Sequence, residues 1–401
     1  MILSKETEEF IREHRLQDVR QLALQAARYP LVEMGAALTQ IAGWQAAREK
    51  LPSWAAVEGI IYPPRLSMEQ CSSEATARYK GRLVTQIAPC GTLTDLTGGF
   101  GIDCAFLAPN FTQVTYVERQ EVLCQAARHN FPLLGLRHID VRHMDSTDYL
   151  QEMPENDWIF IDPARRDLHG GKTVAITDCE PDVSRLEELL LQKAAHVLVK
   201  LSPMLDLSLA ISELRHVQEV HVVALNNECK ELLLVLGREG GSAPEEIPFH
   251  CINLGQHPSS FRFCRREEQA APCPIATQLG TYLYEPNVTL LKAGAFRSLT
   301  NIYKVEKLHA NSHLYTSDRL LPEFPGRCFR ITGHSGFGKK ELKALTAGIK
   351  RANLTVRNFP MSVADLRKRL KIAEGGDHHL FATTLADDSH VIIQAERLTS
   401  I

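Results

Sequence analysis

Apolar residues recur at spacings of three and four through "ETEEFIREHRLQDVRQLALQAARY" and "LVEMGAALTQIAGWQAAREKL", so the first 65 residues read as amphipathic helices. The turn signal Pro63-Pro64 closes them. Ser67-Met68-Glu69-Gln70 then has the form of a capping box, in which the serine oxygen takes an orphan N–H and the glutamine reaches back. This pattern predicts one helix from about Met68 to Ile87. Beyond it the period changes. Short apolar runs, "TLTDL" (92–96), "QVTYVE" (113–118), "HIDVRHM" (138–144), "WIFID" (158–162) and "HVLVKL" (196–201), are separated by helical stretches such as "VLCQAARHNF" and "DVSRLEELLLQKAA". Strands alternating with helices imply an α/β fold with a parallel, doubly wound sheet. The alternation breaks where "EVHVVALN" and "ELLLVLG" are joined by the polar "NECK". That link is too short for a crossover helix, so the sheet is expected to end in an antiparallel hairpin.

Composition limits the setting. A chain of 401 residues, 44% hydrophobic and 23% charged, has room for two or three domains with their own cores. Charges begin at Lys5 with no apolar stretch before them, which is unlike a signal peptide, and no run reaches the roughly 18 apolar residues of a membrane span. Ten scattered cysteines contain no C-x-x-C, so they read as reduced thiols of a cytoplasmic protein with no metal site. The net charge of −3 exerts no general pull on nucleic acid. Any such attraction must come from a local patch.

Two glycine-rich runs compete for a nucleotide, "LTDLTGGFGID" at 93–103 and "ITGHSGFGKKE" at 331–341. Such a run counts when it leaves a strand and opens a helix. Asp95-Leu96-Thr97-Gly98-Gly99-Phe100-Gly101 does so, between "TLTDL" and "IDCAFLA". Glu118 then ends the next strand, placed to bond both hydroxyls of a ribose, and Asp145 follows the strand after that. A loop and two acids at successive strand ends form a nucleoside site. The later run lacks the Ser or Thr that a phosphate loop needs after Lys339, having Lys340 instead, so an ATPase is disfavoured.

On these motifs residues 92–237 resemble a class I S-adenosylmethionine-dependent methyltransferase, whose Rossmann-like sheet is parallel with an antiparallel terminal hairpin. The resemblance implies S-adenosyl-L-methionine as cofactor. It implies that Asp95, Gly99 and Gly101 hold the methionine part, Glu118 the ribose, and Asp145 with Ser146 the adenine side. Thr97, Gly98, Asp103 and Arg119 join the same set. The loop is D-x-T-G-G-x-G and not the G-x-G-x-x-G of a dehydrogenase, and Asp95 suits an ammonium where it would repel a pyrophosphate. The preceding "MEQCSSEATARYKGRLV" resembles the segment that closes over the cofactor in related enzymes, with Ser72, Ser73, Tyr79 and Lys80 as candidates and Ser73 the cofactor contact. A polar helix face is the other reading of that segment.

Chemistry is expected at the end of the fourth strand, in "WIFIDPARRD". Amino-methyltransferases of this class carry there an acid or asparagine, two prolines and an aromatic. Here Asp162 and Pro163 remain, with Arg165 at the place of the aromatic. Asp162, Pro163 and Arg165 are the expected catalytic residues, and Arg165 and Arg166 are expected to touch substrate. D-P-A-R also resembles the RNA uracil-5-methyltransferases, which need a cysteine nucleophile past the fifth strand because uracil C5 does not react unaided. That place reads "VLVKLSPML", without cysteine, which favours a nitrogen as methyl acceptor. Cys179 reads as a passive thiol.

From Arg327 to Lys371 twelve Lys or Arg face two acids, Glu341 and Asp365, a balance of +10 in an otherwise acidic chain. Such a patch suits phosphates, with Lys339, Lys340, Arg351 and Arg357 as candidate contacts. "RANLTVRNFPMSVADLRKRLKIAEGGDHHLFATTL" resembles the THUMP-like domain of a bacterial methyltransferase family, and "YLYEPNVTLLKAGAF" resembles the small ferredoxin-like module those proteins carry before it. The expected order is an N-terminal helical region (1–75), the methyltransferase domain (76–280), the ferredoxin-like module (281–325) and the THUMP-like domain (326–401), the last two being small α+β domains. RNA, as tRNA or rRNA, is the expected partner, with no membrane and no metal. A small-molecule or protein methyltransferase, or a catalytically silent RNA-binding protein on this fold, are the alternatives.

Overall fold

The structure is a computed structural model that describes residues 3–165, 175–241 and 243–398, with Arg165 described in its backbone only. The chain divides into two compact units, Met1–Val220 with Lys230–Ser242, and His221–Cys229 with Ala243–Ile401.

The first unit begins with α1 (Lys5–His14), α2 (Val19–Leu24), α3 (Met34–Lys50) and the single turn α4 (Pro52–Ala55). Ser4 and Asp18 cap α1 and α2, and Phe10, Leu22, Ala37 and Ile41 form their common core. The single helix expected over 68–87 is broken into α5 (Arg65–Gln70) and α6 (Glu74–Ile87). Ser67 caps nothing; Ser73 is the cap, its Oγ accepting the Thr76 N–H at 3.3 Å. The break is a tertiary effect, because Ser72 between the two helices donates to the buried Asp103 carboxylate at 2.8 Å.

Seven strands follow: β1 (Thr92–Asp95), β2 (Gln113–Glu118), β3 (Ile139–His143), β4 (Asn156–Ile161), β5 (Ala194–Leu201), β6 (Val217–Leu225) and β7 (Glu228–Gly237). Their spatial order is β6-β7-β5-β4-β1-β2-β3. Pairing is parallel from β5 to β3, and β7 joins β5 antiparallel, which gives the hairpin expected, although the sheet, of nine strands, continues past β6. The hairpin turns on Asn226 and Asn227, at φ 51° and 63°, so most of "NECK" belongs to β7. Buried runs such as Trp158–Ile161 and Leu232–Leu236 show a sheet covered on both faces. The order in which strands are added to the sheet reverses between β1 and β4, and in open α/β sheets the crevice at such a point, beyond the carboxyl ends of the strands, takes the ligand.

In the second unit an antiparallel ribbon, β8 (Pro248–Leu254) and β9 (Ser259–Cys264), precedes a second sheet. That sheet contains β10 (Tyr282–Pro286), β11 (Glu306–Lys307), β12 (Tyr315–Ser317), β13 (Gly326–Gly336), β14 (Asn353–Val356), β15 (His378–Thr384) and β16 (His390–Arg397), in the order β11-β12-β10-β13-β16-β15-β14. Leu283, Leu308 and Leu314 share one core with Phe329, Phe381 and Ile393. The second glycine-rich run is strand as far as Gly336: Gly333 pairs with Gln394 and Ser335 with Ile392. It forms no loop around a phosphate, in agreement with the rejection of an ATPase. All ten cysteines are free thiols. Among the described residues no helix is long and apolar enough to cross a membrane.

Candidate active site

A cavity of about 820 Å³ opens in the first unit at the carboxyl ends of β1, β2 and β4. Asp95, Thr97, Gly98, Gly99, Gly101, Asp103, Glu118, Arg119, Asp145, Ser146, Asp162 and Pro163 all line it. Ser73 does not; it is spent on capping α6, and Ser72 lines the cavity in its place. Arg166 lies outside the described residues, and of Arg165 only the backbone is described, paired with Cys179 in a two-residue ribbon. Cys179 is fully buried, as a passive thiol would be.

Gly98 and Gly101 of the loop leave no space for a side chain. A Cβ on Gly98 would stand 2.2 Å from the Tyr116 ring, and Gly101, at φ 86°, begins helix α7 (Ile102–Leu107). Glu118, 8% exposed, accepts the Gly99 N–H at 2.9 Å on one oxygen and the Gln120 N–H at 2.8 Å on the other. It therefore clamps the loop, and each oxygen retains a lone pair toward the cavity. Asp145 caps the helix Ser146–Glu152, accepting from the Thr147 N–H and hydroxyl, which hold its carboxyl below the usual range. Asp95 is 1% exposed. One oxygen accepts the Thr97 N–H at 3.0 Å; the other is buried with no hydrogen bond. Burial, with Asp103 and Asp162 adding repulsion, pushes its carboxyl well above the usual range. A buried acceptor of this kind calls for a donor, best a cationic one, supplied by a ligand.

Beside the loop runs a chain of buried charge that joins the sequence candidates Lys80, Asp103 and Asp162 to Lys200 and Glu231, which sequence patterning did not single out. Lys200, on β5, reaches Asp162 at 2.5 Å and Asp103 at 3.1 Å. Lys80, on α6 and wholly buried, reaches Asp103 at 3.1 Å and both oxygens of Glu231 on β7 at 2.6 and 2.7 Å. Burial works against the charge of Lys200, but Asp103 and Asp162 outweigh it and hold its pKa well above the usual value. The same two lysines keep Asp103 below the usual range against the effect of burial. Asp162 is consequently fixed: its backbone N–H bonds Thr97 Oγ1 at 2.7 Å, Lys200 holds Oδ2, and Oδ1 has no partner among the described residues. One signal was available, since Lys200 is the only charge in the apolar run "HVLVKL".

Lys339, Lys340, Arg351 and Arg357 belong to the second unit. Lys339 and Lys340 are exposed at a helix start. Arg351 bonds the Glu374 carbonyl at 2.9 Å, and Arg357 pairs with Glu285 at 3.0 Å.

Comparison with known proteins is informative at the C-terminus and over the whole chain. Residues 282–325 match a model of a ferredoxin-like domain, and residues 326–397 match one described as THUMP domain-like. No curated protein matches. A crystal structure described as "putative methyltransferase from Porphyromonas gingivalis W83" is 37% identical, covers 100% of both chains and superposes with a TM-score of 0.85. Much weaker matches include an rRNA methylase from Streptococcus thermophilus, 14% identical over 40% of this chain and 94% of that chain with a TM-score of 0.29. Another is M. capricolum TrmK in complex with S-adenosylhomocysteine, 10% identical over 45% and 70% with a TM-score of 0.31.

Proposed function

The chain belongs to the bacterial methyltransferase family of the Porphyromonas gingivalis protein, and from that premise we propose that it transfers a methyl group from S-adenosylmethionine to a base nitrogen of structured RNA, tRNA or rRNA. The residues present fit this cofactor. The orphaned oxygen of Asp95 suits an ammonium, the spare lone pairs of Glu118 suit ribose hydroxyls, and Asp145 and Ser146, which line the same cavity, suit the adenine side. Bound there, the cofactor supplies an electrophilic methyl on a sulfonium. What remains for the protein is to align and hold the nucleophile.

The observation that carries the reading is the fixed carboxylate of Asp162, beyond the carboxyl end of β4 and in the cavity that Asp95 lines. Lys200 occupies one oxygen, so the other is aimed as a single acceptor. An N–H of an amino or ring nitrogen donated to Oδ1 would orient that nitrogen's lone pair, and no covalent step is required. The absence of a cysteine in "KLSPML" at the end of β5 agrees with nitrogen as the acceptor. RNA is supported by the +10 balance of residues 327–371 and by the THUMP-like match. Free thiols at all ten cysteines suit a cytoplasmic enzyme. The test is incubation with methyl-labelled S-adenosylmethionine and unmodified tRNA and rRNA, followed by nucleoside mass spectrometry. Label on one base nitrogen is the expected result. Label confined to protein or small molecules would overturn the assignment of RNA.

A further inference from the structure

Glu285, on β10 in the ferredoxin-like segment, is buried with its side chain 3% exposed. Both its oxygens are taken by arginines of the THUMP-like segment, Oε2 by Arg327 Nη2 and Oε1 by Arg357 Nη2, the latter at 3.0 Å. One carboxylate thus faces two guanidinium groups, and one positive charge is left over. Each arginine keeps 37% of its side chain exposed, and neither Nη1 has a partner among the described residues. The Nε of each is buried and also unpartnered.

Two histidines nearby feel the arginines as well. Burial first, then Lys307 and Arg357, lower the pKa of His313 to about 4 against Glu268. Burial lowers His379 as well, with Arg327 and Arg397 adding to the effect against Glu285 and Asp377. Both imidazoles are favoured in the neutral form, chiefly by burial, with Arg357 acting on His313 and Arg327 on His379. Glu268, whose oxygens accept the N–H groups of Phe296, Arg297 and Ser298, opposes the effect at His313. Glu285 balances one of the two positive charges, and each arginine keeps an Nη1 with no partner among the described residues, open to an anion.

We propose that Arg327 and Arg357, braced on Glu285, form a clamp for a phosphodiester of the RNA backbone; this rests on the RNA reading above. Guanidinium groups match phosphate oxygens with paired N–H donors. Two arginines already immobilised by a shared carboxylate lose little side-chain freedom on binding, so the contact is preorganised. It reads no base. Its role is to set the register of the RNA on the second unit.

The test uses the full chain and unfractionated bacterial tRNA as probe. Phenylglyoxal modification of each arginine in the wild-type protein is followed by peptide mass spectrometry, with and without tRNA. Arg327 and Arg357 should be protected about tenfold or more. Arg357→Ala should weaken tRNA binding about 5- to 50-fold at low salt and make the slope of log affinity against log salt shallower by about one. Protection of other arginines but not of these two would overturn the clamp and leave RNA as the partner. Absence of any salt-dependent tRNA binding would overturn both. The protection measurement needs no variant, so a misfolded Arg357→Ala protein does not remove the test.

Discussion

Lys80→Met removes the cation at the centre of the buried chain of charge while keeping the length of the side chain. Lys80 is wholly buried, and its ammonium is the partner of both Glu231 oxygens, at 2.6 and 2.7 Å, as well as of Asp103 at 3.1 Å. Asp103 would keep Lys200 at 3.1 Å and Ser72 at 2.8 Å. Glu231, 3% exposed, loses its ion-pair partner. Removing one member of a buried pair costs about 3–5 kcal/mol. For a unit of some two hundred residues, at about 2–4 °C per kcal/mol, the melting temperature should fall by roughly 6–20 °C. The loss should depend on pH. Burial already pushes the Glu231 carboxyl up with Lys80 beside it, and removal of Lys80 raises it further. A group whose folded pKa is raised contributes stability below its unfolded pKa and loses it as pH rises through the folded one. The deficit of Lys80→Met should therefore be smaller near pH 5 and larger near pH 8. Glu231→Gln in the same chain should restore most of the loss at pH 8, since no charge is then left without a partner. Thermal melts of the two single variants and the double variant at both pH values measure this. A cost below about 1 kcal/mol, or no recovery in the double variant, would show that water reaches the pair and that the network does not hold α6 to β7.

Asp162→Ala should lower single-turnover methyl transfer about 10²- to 10³-fold with cofactor affinity nearly unchanged, because the N–H acceptor matters most as the nitrogen rehybridises. Rapid-quench assays with calorimetry check this, and retained turnover would remove Asp162 from the reaction. Glu118→Ala should weaken S-adenosylmethionine binding by about 1.5–3 kcal/mol in calorimetry. It should also lower the melting temperature, since the N–H groups of Gly99 and Gln120 lose their acceptor. In the second unit, His313 has a folded pKa lowered to about 4, so the stability it confers is lost as pH falls from its unfolded value near 6.5 towards 4. His313→Asn, suited to the φ of 51° at that position, should flatten that part of the melting profile.

The sheet was legible because its strands are continuous apolar runs bounded by helices, the pattern of a parallel sheet covered on both faces. The antiparallel end was legible because four residues cannot cross over a sheet. The glycine loop and the acids at 95, 118, 145 and 162 were legible because each ends a strand, and strand ends converge at the reversal of strand order. The broken helix before β1 was not legible. Ser67 and Ser73 offer comparable local caps, and the choice between them rests with Ser72 and Asp103, 31 positions away. The shared core of the second sheet was hidden for a similar reason, since β10 and β13 belong to segments that look separate in sequence.

Buried charge marks the limit of reading along the chain. Lys200 in an apolar strand, and Lys80 on the same face of α6 as Ala77 and Val84, are visible anomalies, but an anomaly does not name its partner. Glu231 lies 151 positions from Lys80, and Asp103 lies 97 from Lys200. The consequence is chemical as well as structural. With Asp162 read alone, the two carboxylate oxygens are equivalent; with Lys200 on Oδ2, Oδ1 is the one with no partner among the described residues and the better placed to accept from substrate. A fixed single acceptor selects among nucleophiles: it favours a nitrogen that carries a hydrogen to donate over one that offers only lone pairs. On the reading proposed above, an amino nitrogen, which keeps a lone pair while donating a hydrogen to Oδ1 and can release that proton to the carboxylate once the methyl is transferred, is a better methyl acceptor than a bare ring nitrogen, and the position of the label in the nucleoside spectrum decides between them.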